Sequence, residues 1–416
     1  MRRTADVVII GGGCMGASVA YHLMRRAVRD VVLVEREPML GTGSTGRNAG
    51  GVRHQFSNAA NIRLSIESIH LLEHFADEVG SPIDFHQDGY LFVLSAPSSV
   101  ETFQHNVALQ RSLGVDVQWL DPKAAEQLAP GLSADGVSAA TFCARDGIAD
   151  PNGVTMGFAK AAQAAGVEIV RDTEVTAIRL DRGRILGIDT PRGSIDAPTV
   201  VNAAGPQARQ IGRMAGIEVP VDPYRRHIFI AAAPAAAESW RVPPTRIMVI
   251  DFDTTFYFHR EGAGLLFGMA DPDEKPTFDT TVQWDFLSRV IDVAVTRVPA
   301  LADASVSHAW AGLYEVTPDA NPLIGPSVGV EGFMQINGFS GHGFQHSPAA
   351  GRILADVITG RDPQFDLTPF SANRFASGAV SDPSAPRAPQ DRPGQNRETT
   401  GSGPSDASRD GERCFV

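Results

Sequence analysis

Three glycines near the start of the chain have the spacing that binds the phosphates of a dinucleotide. Gly11, Gly13 and Gly16 follow a short β-branched run and precede a stretch of helical composition. In such a unit the first glycine makes a tight turn, the second lets the backbone approach a pyrophosphate, and the third allows close packing of helix on sheet. The phosphates then meet the N-terminus of a helix, which binds anions. We predict that Cys14 and Met15, at this helix start, also contact the cofactor.

An acidic residue lies where the ribose of such a cofactor would be bound. Glu35 follows Gly16 by 19 residues and ends a second buried run, 31–35, so its carboxylate can accept hydrogen bonds from an adenosine ribose. An acid here fits a ribose without a phosphate group, and we include its neighbour Arg36 in the predicted site. The alternative is a glycine-rich turn before a charged strand end. The pattern favours a dinucleotide and leaves both FAD and NAD open.

A long stretch rich in glycine and hydroxyl groups follows the acidic strand and favours FAD. Residues 41–51 read Gly-Thr-Gly-Ser-Thr-Gly-Arg-Asn-Ala-Gly-Gly. Such a stretch can wrap the second phosphate and the ring system of an extended flavin dinucleotide, whereas a nicotinamide enzyme normally continues into an ordinary helix. A plain surface loop is the alternative interpretation. The residues predicted to bind the cofactor here are Ser44, Thr45, Arg47, Asn48 and Gly50.

A second glycine-rich segment, 338–348, lies near the end of the folded part of the chain. Its glycines let backbone N–H groups approach a planar ring, and we predict a helix that starts at Pro348 with Ser347 as its N-cap. The positive end of that helix would stabilise the negative charge of a reduced flavin near N1 and the C2 carbonyl. For His342 and His346, hydrogen bonding to the backbone is the simpler interpretation. The residues predicted to contact the cofactor are Gly338, Gly341, His342, Gly343, Phe344 and Gln345.

The elements that must position these segments suggest two kinds of domain. Around the first glycine motif the pattern is strand, helix and strand, whereas the region from about 221 to 322 is rich in aromatics, turns and short strand candidates. We predict an α/β plus α+β chain: a Rossmann-like FAD-binding domain with a mostly antiparallel β substrate domain, as in two-domain flavoproteins of the glutathione-reductase type. The predicted ranges are 1–88, 150–220 and 323–375 for the discontinuous FAD-binding domain, 89–149 and 221–322 for the substrate domain, and 376–416 for a disordered tail.

Composition excludes several classes of protein. The chain has 416 residues, 43% of them hydrophobic and 20% charged, which excludes a collagen, a coiled coil and wholesale disorder. With a net charge of -12 we expect no nucleic-acid partner, and with no apolar run near the roughly 20 residues of a membrane helix we expect neither a signal peptide nor stable membrane insertion. Three scattered cysteines, Cys14, Cys143 and Cys414, predict no disulfide framework and no metal site, which fits the cytoplasm.

From about Asp6 to Phe375 the chain resembles the flavin amine oxidoreductases of the D-amino-acid-oxidase superfamily. It is most similar to the sarcosine-oxidase and glycine-oxidase group and to the β subunits of heteromeric sarcosine oxidase and amino-acid dehydrogenases. The resemblance rests on residues 11–16 with Glu35, 44–47, 173–175, 201–205, Tyr314–Asp319 and, above all, 338–344. It implies that the backbone of Val175 meets the adenine, and that Ala203, Ala204 and Gly205 pass beside the flavin dinucleotide.

Departures from this family pattern concern the flavin linkage. Gly312 stands where the monomeric sarcosine oxidase has its flavin-linking cysteine, and Arg47 stands where dimethylglycine-dehydrogenase-like proteins have a linking histidine. The FMN-linking histidine of the heteromeric β subunits has no counterpart at residues 146–150. The resemblance therefore implies FAD that is bound without a covalent link.

Two lysines of the monomeric enzyme are also replaced. The lysine that pairs with the substrate carboxylate is Gln345 here, and the lysine that activates oxygen falls at about Leu266. The substrate and the electron acceptor therefore need not be those of the resembling oxidase. We expect slow reaction with oxygen. Electrons would pass instead to a quinone, to a partner subunit or to an electron-acceptor protein such as an electron-transfer flavoprotein.

Several polar side chains are candidates for a substrate pocket. Arg53 follows the flavin loop, and its guanidinium can hold a substrate carboxylate by two hydrogen bonds. A structural salt bridge is the alternative for Arg53, and core packing is the alternative for the tyrosines. The candidates for contact with substrate or for a part in catalysis are Arg53, His54, Tyr257, His259, Tyr314, His342 and Gln345.

These observations predict an oxidoreductase that acts on a small amine. We expect FAD-dependent oxidation of the C–N bond of a small amino acid or N-methyl amino acid, with hydride transfer to flavin N5 and hydrolysis of the resulting imine. A flavin dehydrogenase of a 2-hydroxy acid and a non-enzymatic FAD-binding assembly factor are the alternatives. A nicotinamide dehydrogenase is a further alternative, but it leaves segment 338–348 without a role.

Overall fold

A computed structural model describes residues 1–232 and 246–375 of the chain. The tail predicted to be disordered, 376–416, lies outside the described residues. In chain order the strands are β1 (Val7–Ile10), β2 (Val31–Val34), β3 (Gly51–Val52), β4 (Phe85–His86), β5 (Tyr90–Leu94), β6 (Gln118–Leu120), β7 (Ala139–Cys143), β8 (Gly147–Ala149), β9 (Glu168–Val170), β10 (Ala177–Asp181), β11 (Arg184–Thr190), β12 (Gly193–Asp196), β13 (Thr199–Asn202), β14 (Asp222–Ala232), β15 (Met248–Asp251), β16 (Tyr257–Glu261), β17 (Gly264–Met269), β18 (Ser305–Val316), β19 (Leu323–Pro326) and β20 (Phe333–Asn337). The α-helices are α1 (Cys14–Arg25), α2 (Ala59–Glu73), α3 (Phe75–Val79), α4 (Pro97–Ser112), α5 (Pro122–Leu128), α6 (Pro151–Ala164), α7 (Ala208–Met214), α8 (Trp284–Arg297) and α9 (Gly343–Ile358).

A six-stranded sheet forms because its central strands are apolar along their whole length. The strands β1 and β2 are buried at every position, as is typical of parallel strands covered on both faces. The strand order is β19-β20-β13-β1-β2-β9, and all neighbours are parallel except β19 and β20. Helices α1, α6 and α9 cover one face, while α7 and a sheet of β10, β11 and β12 cover the other. The residues that follow β1, β2 and β13 therefore meet at one edge.

An eight-stranded sheet has one apolar face and one face that carries polar and aromatic groups. Its order is β18-β14-β17-β16-β15-β5-β7-β6, and only the β15-β5 pair is parallel. Because side chains alternate along a strand, Phe229, Phe258 and Phe267 pack with α8 on one face. Tyr90 and Tyr257 belong to the cluster on the opposite face. A further three-stranded sheet, β3-β8-β4, lies next to the segment that carries Arg53.

The predicted fold class is confirmed: a Rossmann-like α/β unit is combined with a mostly antiparallel β-sheet. The strands of the six-stranded and eight-stranded sheets fall in the ranges predicted for the FAD-binding and substrate domains, respectively. The domain limits themselves stay a prediction. Within residues 1–232 and 246–375, no helix combines the length and the apolar character that a membrane crossing requires.

The apolar positions of residues 61–79 have the spacing of one amphipathic helix, but the structure interrupts that helix. Helix α2 ends at Glu73 and α3 starts at Phe75, with His74 between them in a non-helical conformation. The ring Nδ1 of His74 hydrogen-bonds the carbonyl oxygen of His70 at 2.8 Å, so the side chain competes for a backbone acceptor of the helix. The apolar spacing alone does not reveal this local competition.

The start predicted for the last long helix is wrong. Helix α9 begins at Gly343, so Pro348 lies inside it rather than at its first position. Proline has no N–H for the carbonyl of Phe344, and the Ser347 hydroxyl donates to that carbonyl at 2.8 Å instead. Ser347 thus compensates for the proline within the helix and is not its N-cap. The positive end of α9 lies five residues closer to the glycine turn than predicted.

Candidate active site

A cavity of about 700 Å³ lies where the edge of the six-stranded sheet meets the polar face of the eight-stranded sheet. Residues that follow β1, β2 and β13 line one wall, among them Gly11, Glu35 and Ala203. Tyr90 and Tyr257 line the opposite wall. Ligands of open α/β folds bind in this position, outside the carboxyl ends of parallel strands.

The first glycine loop is packed so tightly that it excludes side chains. Gly11 has a φ of +113°, and a Cβ atom there would lie 2.3 Å from the carbonyl oxygen of Ala203. A Cβ atom at Gly16 would lie 1.9 Å from the carbonyl oxygen of Gly11. The loop and the start of α1 therefore approach closely, as the dinucleotide motif requires. Gly11 and Gly13 line the cavity, and Gly16 supports the loop from behind.

Glu35 holds the glycine loop at the end of β2. Its Oε2 accepts a hydrogen bond from the Gly12 N–H at 2.6 Å, and its Oε1 accepts one from the Glu37 N–H at 2.9 Å. The carboxylate also lines the cavity, where its remaining lone pairs can accept hydrogen bonds from a ribose. Tight glycine packing, a helix N-terminus and this acceptor together fit the adenosine diphosphate half of FAD.

The hydroxyl-rich stretch after β2 is tied to β18. Ser44 Oγ donates to the carbonyl of Leu313 at 2.6 Å, and a guanidinium nitrogen of Arg47 donates to the carbonyl of Ala311 at 3.0 Å. A Cβ atom at Gly312 would lie 3.1 Å from the Cβ of Arg47. The two positions that resemble flavin-linking sites are therefore in contact, and neither carries a nucleophilic side chain.

Acid precipitation is expected to release all of the flavin. Because a glycine and an arginine occupy the two linking positions, Gly312 and Arg47, we expect no covalent bond between the cofactor and the chain. The measurement is the flavin absorbance of the supernatant after precipitation, followed by chromatography against FAD and FMN. Flavin that stays in the pellet after washing with denaturant would show a covalent link.

The second glycine turn brings a helix end into the cavity. Gly341 has a φ of +102°, and a Cβ atom there would lie 2.4 Å from the ring of Tyr314. The first turn of α9, formed by Gly343, Phe344 and Gln345, lines the cavity. The N-terminus of this 16-residue helix therefore points its positive end at the cavity, where it can stabilise negative charge on a bound ring.

Glu315 is a cavity residue that the sequence analysis did not select. It lies on β18, its Oε1 accepts a hydrogen bond from the Phe339 N–H at 3.4 Å, and its Oε2 has no partner among the described residues. Burial raises the pKa of this carboxyl to about 7, while the N–H groups of Phe339 and Gly338 lower it. An unpartnered buried oxygen facing the cavity is a position for a hydrogen bond to a ligand. The signal in the sequence is an acidic residue directly after Tyr314, within the segment Tyr314–Asp319 on which the family resemblance partly rests.

Glu315→Gln is expected to stabilise the FAD-free protein at about pH 8 and to have little effect near pH 4.5. The folded protein keeps a proton on Glu315 up to about pH 7, whereas the unfolded chain loses it near pH 4.5. The stability contributed by this group therefore falls as pH rises through that window, by roughly 3 kcal/mol in total. Glutamine imitates the protonated acid and removes this loss. The measurement is the free energy of unfolding in urea of the wild-type and variant proteins at both pH values. The same difference between the two proteins at both pH values would contradict the prediction.

Arg53 is held against aromatic rings at the cavity wall. Its guanidinium carbon lies 4.0 Å from the ring centroid of Phe56 and 5.5 Å from that of Phe92. Its backbone N–H donates to Gln345 Oε1 at 2.9 Å, which joins it to the start of α9. The side chain lines the cavity and is only 7% exposed, so a carboxylate bound there would be shielded from water.

His54 lies behind the cavity wall. Its backbone N–H and its Nδ1 contact the same oxygen of Asp146, at 2.8 Å and 2.6 Å. Potential ligand atoms of His54, Cys143 and Asp146 lie within 4.8 Å of one another, but burial raises the pKa of the Cys143 thiol, which keeps the sulfur protonated. This cluster fixes the segment next to Arg53 and leaves His54 without access to the cavity.

Most residues predicted for the site come together around the cavity. Those that line it are Gly11, Gly13, Cys14, Met15, Glu35, Arg36, Ser44, Thr45, Arg47, Asn48, Arg53, Val175, Ala203, Ala204, Gly205, Tyr257, Tyr314, Gly341, His342, Gly343, Phe344 and Gln345. Those that do not are Gly16, Gly50, His54, His259, Leu266 and Gly338. Besides Glu315, the cavity includes Tyr90 and Arg226, which the sequence analysis did not select.

Comparison with known proteins places this arrangement in a family. The family described as FAD dependent oxidoreductase, DAO, matches residues 6–357. The chain belongs to this family. Its cofactor is therefore FAD, which agrees with the glycine packing, the ribose acceptor and the two helix ends around the cavity.

Individual relatives show how far the likeness extends. Mitochondrial dimethylglycine dehydrogenase of Rattus norvegicus is 31% identical over 389 residues, which cover 89% of this chain and 45% of that protein. The chain thus spans less than half of that relative. The crystal structure of L-proline dehydrogenase from P. horikoshii matches with a TM-score of 0.84 and 32% identity, over 92% of this chain and 100% of that one. The crystal structure of glycine oxidase from Geobacillus kaustophilus matches with a TM-score of 0.79 and 26% identity, over 89% of this chain and 98% of that one.

Proposed function

We propose that the protein oxidises the C–N bond of a small amino acid or N-methyl amino acid with FAD as its cofactor. The observation that carries the proposal is a buried guanidinium, Arg53, at the wall of a cavity built for a flavin dinucleotide. Relatives named for dimethylglycine, L-proline and glycine support an amino-acid substrate. Cytoplasmic placement and a partner subunit or acceptor protein are further parts of the proposal.

Bound FAD supplies the two-electron acceptor for oxidation of the carbon that is bonded to nitrogen. Arg53 binds the substrate carboxylate by two hydrogen bonds and thereby fixes where the carbon lies. Tyr90, Tyr257 and Tyr314 form the opposite wall and exclude water from it. Burial raises the pKa of the Tyr257 hydroxyl well above its usual value, so this group remains a neutral hydrogen-bond donor.

The cavity also favours an uncharged substrate amine. Positive charge from Arg53 disfavours an ammonium group nearby, since like charges repel more strongly in a site of low dielectric. Burial, Arg53 and His346 together hold the pKa of His342 well below its usual value. His342 is thus neutral, and its Nδ1 has no partner among the described residues. It can accept a hydrogen bond from the substrate amine.

Anaerobic reduction of the flavin tests this function. The FAD-loaded protein is mixed without oxygen with amino acids, N-methyl amino acids and 2-hydroxy acids, and loss of the visible flavin absorbance is recorded. Reduction by amines and not by hydroxy acids is expected. Reduction by hydroxy acids alone would assign the protein to a 2-hydroxy-acid dehydrogenase, and reduction by no compound would favour a non-enzymatic FAD-binding role.

The reduced protein is expected to react slowly with oxygen. A positive charge beside a flavin stabilises superoxide as the first electron leaves. Leu266, which stands at the position of the oxygen-activating lysine in the resembling oxidase, carries no charge and does not line the cavity. Its neighbour His259 is buried, which lowers the pKa of its ring and keeps it neutral. Stopped-flow mixing of substrate-reduced protein with air-saturated buffer measures the rate. Reoxidation slower than turnover, accelerated by a dye acceptor, is predicted, whereas fast reoxidation with stoichiometric peroxide would show an oxidase.

A further inference from the structure

Two adjacent arginines of β14 face opposite sides of the eight-stranded sheet. Arg225 points away from the cavity, where its guanidinium contacts Glu274 at 3.1 Å and Asp279 at 2.7 Å. Arg226 lies in register with Gly312 and lines the cavity. The alternation of a β-strand therefore gives one arginine a structural role and delivers the other to the site.

Arg226 has no carboxylate partner among the described residues. One guanidinium nitrogen donates to the carbonyl of Arg225 at 2.9 Å, and its buried Nε has no hydrogen-bond partner. Its guanidinium carbon lies 5.1 Å from the ring centroid of Tyr314, which holds the side chain against the cavity wall. A cation in a partly buried position is costly unless an anion pairs with it. The missing anion can come from a ligand in the cavity.

The phosphates of the cofactor have a binding site that is separate from Arg226. The glycine loop and the start of α1, which fit the pyrophosphate, belong to the six-stranded sheet. Arg226 lies instead on the eight-stranded sheet beside Tyr314, whose ring also packs against the turn at Gly341. Arg53, Tyr90 and Tyr257 line the same cavity. Three tyrosines thus share the cavity with two cations.

We propose that Arg226 binds a second anionic group of the substrate, which makes the preferred substrate a dicarboxylic amine. Arg53 holds the carboxylate next to the reacting carbon, a step that rests on the function proposed above, and Arg226 holds a carboxylate at the other end. The tyrosine hydroxyls of the cavity can bind other polar atoms of the substrate. An N-carboxymethyl amino acid or an acidic amino acid has this chemistry.

Binding of non-reacting acids tests the second anion site independently of turnover. Glutarate and pentanoate have the same number of carbons and differ by one carboxylate, and each is titrated into the FAD-loaded protein while the flavin spectrum is followed. Glutarate is expected to bind about tenfold to a hundredfold more tightly than pentanoate, since one charge-assisted pair is added. Arg226→Gln should remove that difference and leave pentanoate binding and FAD content unchanged. The control is Arg260→Gln on β16, an arginine of the same sheet that does not line the cavity.

Anaerobic reduction then separates this inference from the proposed function. N-carboxymethylglycine is compared with N-methylglycine, and aspartate with alanine. A preference of at least tenfold for the dicarboxylic member, lost in Arg226→Gln, supports the inference. Reduction by both members without preference would overturn the second anion site and leave amine oxidation standing. Tighter glutarate binding through Arg226, without reduction by any amine, would contradict the proposed function but keep the anion site. A loss of FAD in Arg226→Gln would reassign the residue to the cofactor.

Discussion

Gly16→Ala is expected to abolish FAD binding. A Cβ atom at this position would lie 1.9 Å from the carbonyl oxygen of Gly11 and 3.3 Å from a methyl carbon of Ile9. The first contact is with backbone, so relief requires that α1 move away from β1. That movement separates the N–H groups of the helix start from the pyrophosphate, and we expect FAD affinity to fall by a factor of about a hundred or more.

The measurement is the dissociation constant of FAD, determined by flavin fluorescence on FAD-free protein, with circular dichroism to confirm that the variant folds. Gly80→Ala is the control, because a Cβ atom there meets no atom within 4 Å and Gly80, at the end of α3, does not line the cavity. It should retain FAD. Wild-type affinity in Gly16→Ala would mean that the glycine loop does not hold the phosphates.

Arg53→Gln is expected to lower kcat/KM for the amino-acid substrate by about a hundredfold to a thousandfold. The guanidinium is buried at the cavity wall, and loss of a shielded charge pair costs about 2–5 kcal/mol in comparable sites. Arg53→Lys should lose about tenfold to a hundredfold, because an ammonium keeps the charge but cannot make the two-point contact. FAD content should stay near normal in both.

The two variants are compared by anaerobic flavin reduction at several substrate concentrations, with thermal unfolding as a check on folding. A structural role would lower the unfolding temperature of both variants without separating their kinetics. Wild-type kinetics in Arg53→Lys would therefore contradict the carboxylate contact and leave Arg53 as a packing residue between Phe56 and Phe92.

The residues that bind the cofactor could be predicted because they lie close together in the sequence. Gly11, Gly13 and Glu35 lie within one strand, helix and strand unit, where fixed spacing in sequence becomes fixed spacing in space. Ser44 and Arg47 could be predicted for the same reason, because residues 41–51 follow shortly after β2. The parallel strands could also be recognised, because burial on both faces leaves continuous apolar runs.

The residues on the substrate side of the cavity come together through contacts between segments that are distant in the sequence. A local sequence pattern does not reveal such contacts. Arg226 and Tyr90 face the cavity only because β14 and β5 belong to the same sheet, eight strands wide. In the sequence, Arg225 and Arg226 are indistinguishable, and only the register with β18 decides which one reaches the site. His54 was predicted for the pocket because it follows Arg53 in the chain. Its side chain contacts Asp146 instead and does not line the cavity.

The start of α9 shows how a statistical preference can mislead. Proline favours the first position of a helix, and a serine before it favours the cap. Here the hydroxyl of Ser347 takes over the carbonyl of Phe344, so proline is tolerated inside the helix. The shift matters for function, because it places Gly343, rather than Pro348, at the positive end that faces the cavity.

The most direct test of the central claim is single-turnover reduction with an isotopically labelled substrate. The best-reducing amino acid is prepared with hydrogen or deuterium on the carbon bonded to nitrogen, and anaerobic reduction of the flavin is followed by stopped flow. Oxidation of the C–N bond predicts slower reduction with deuterium, and one oxo product with one released amine or ammonia for each flavin reduced. Equal rates for the two substrates without an oxo product would contradict the account.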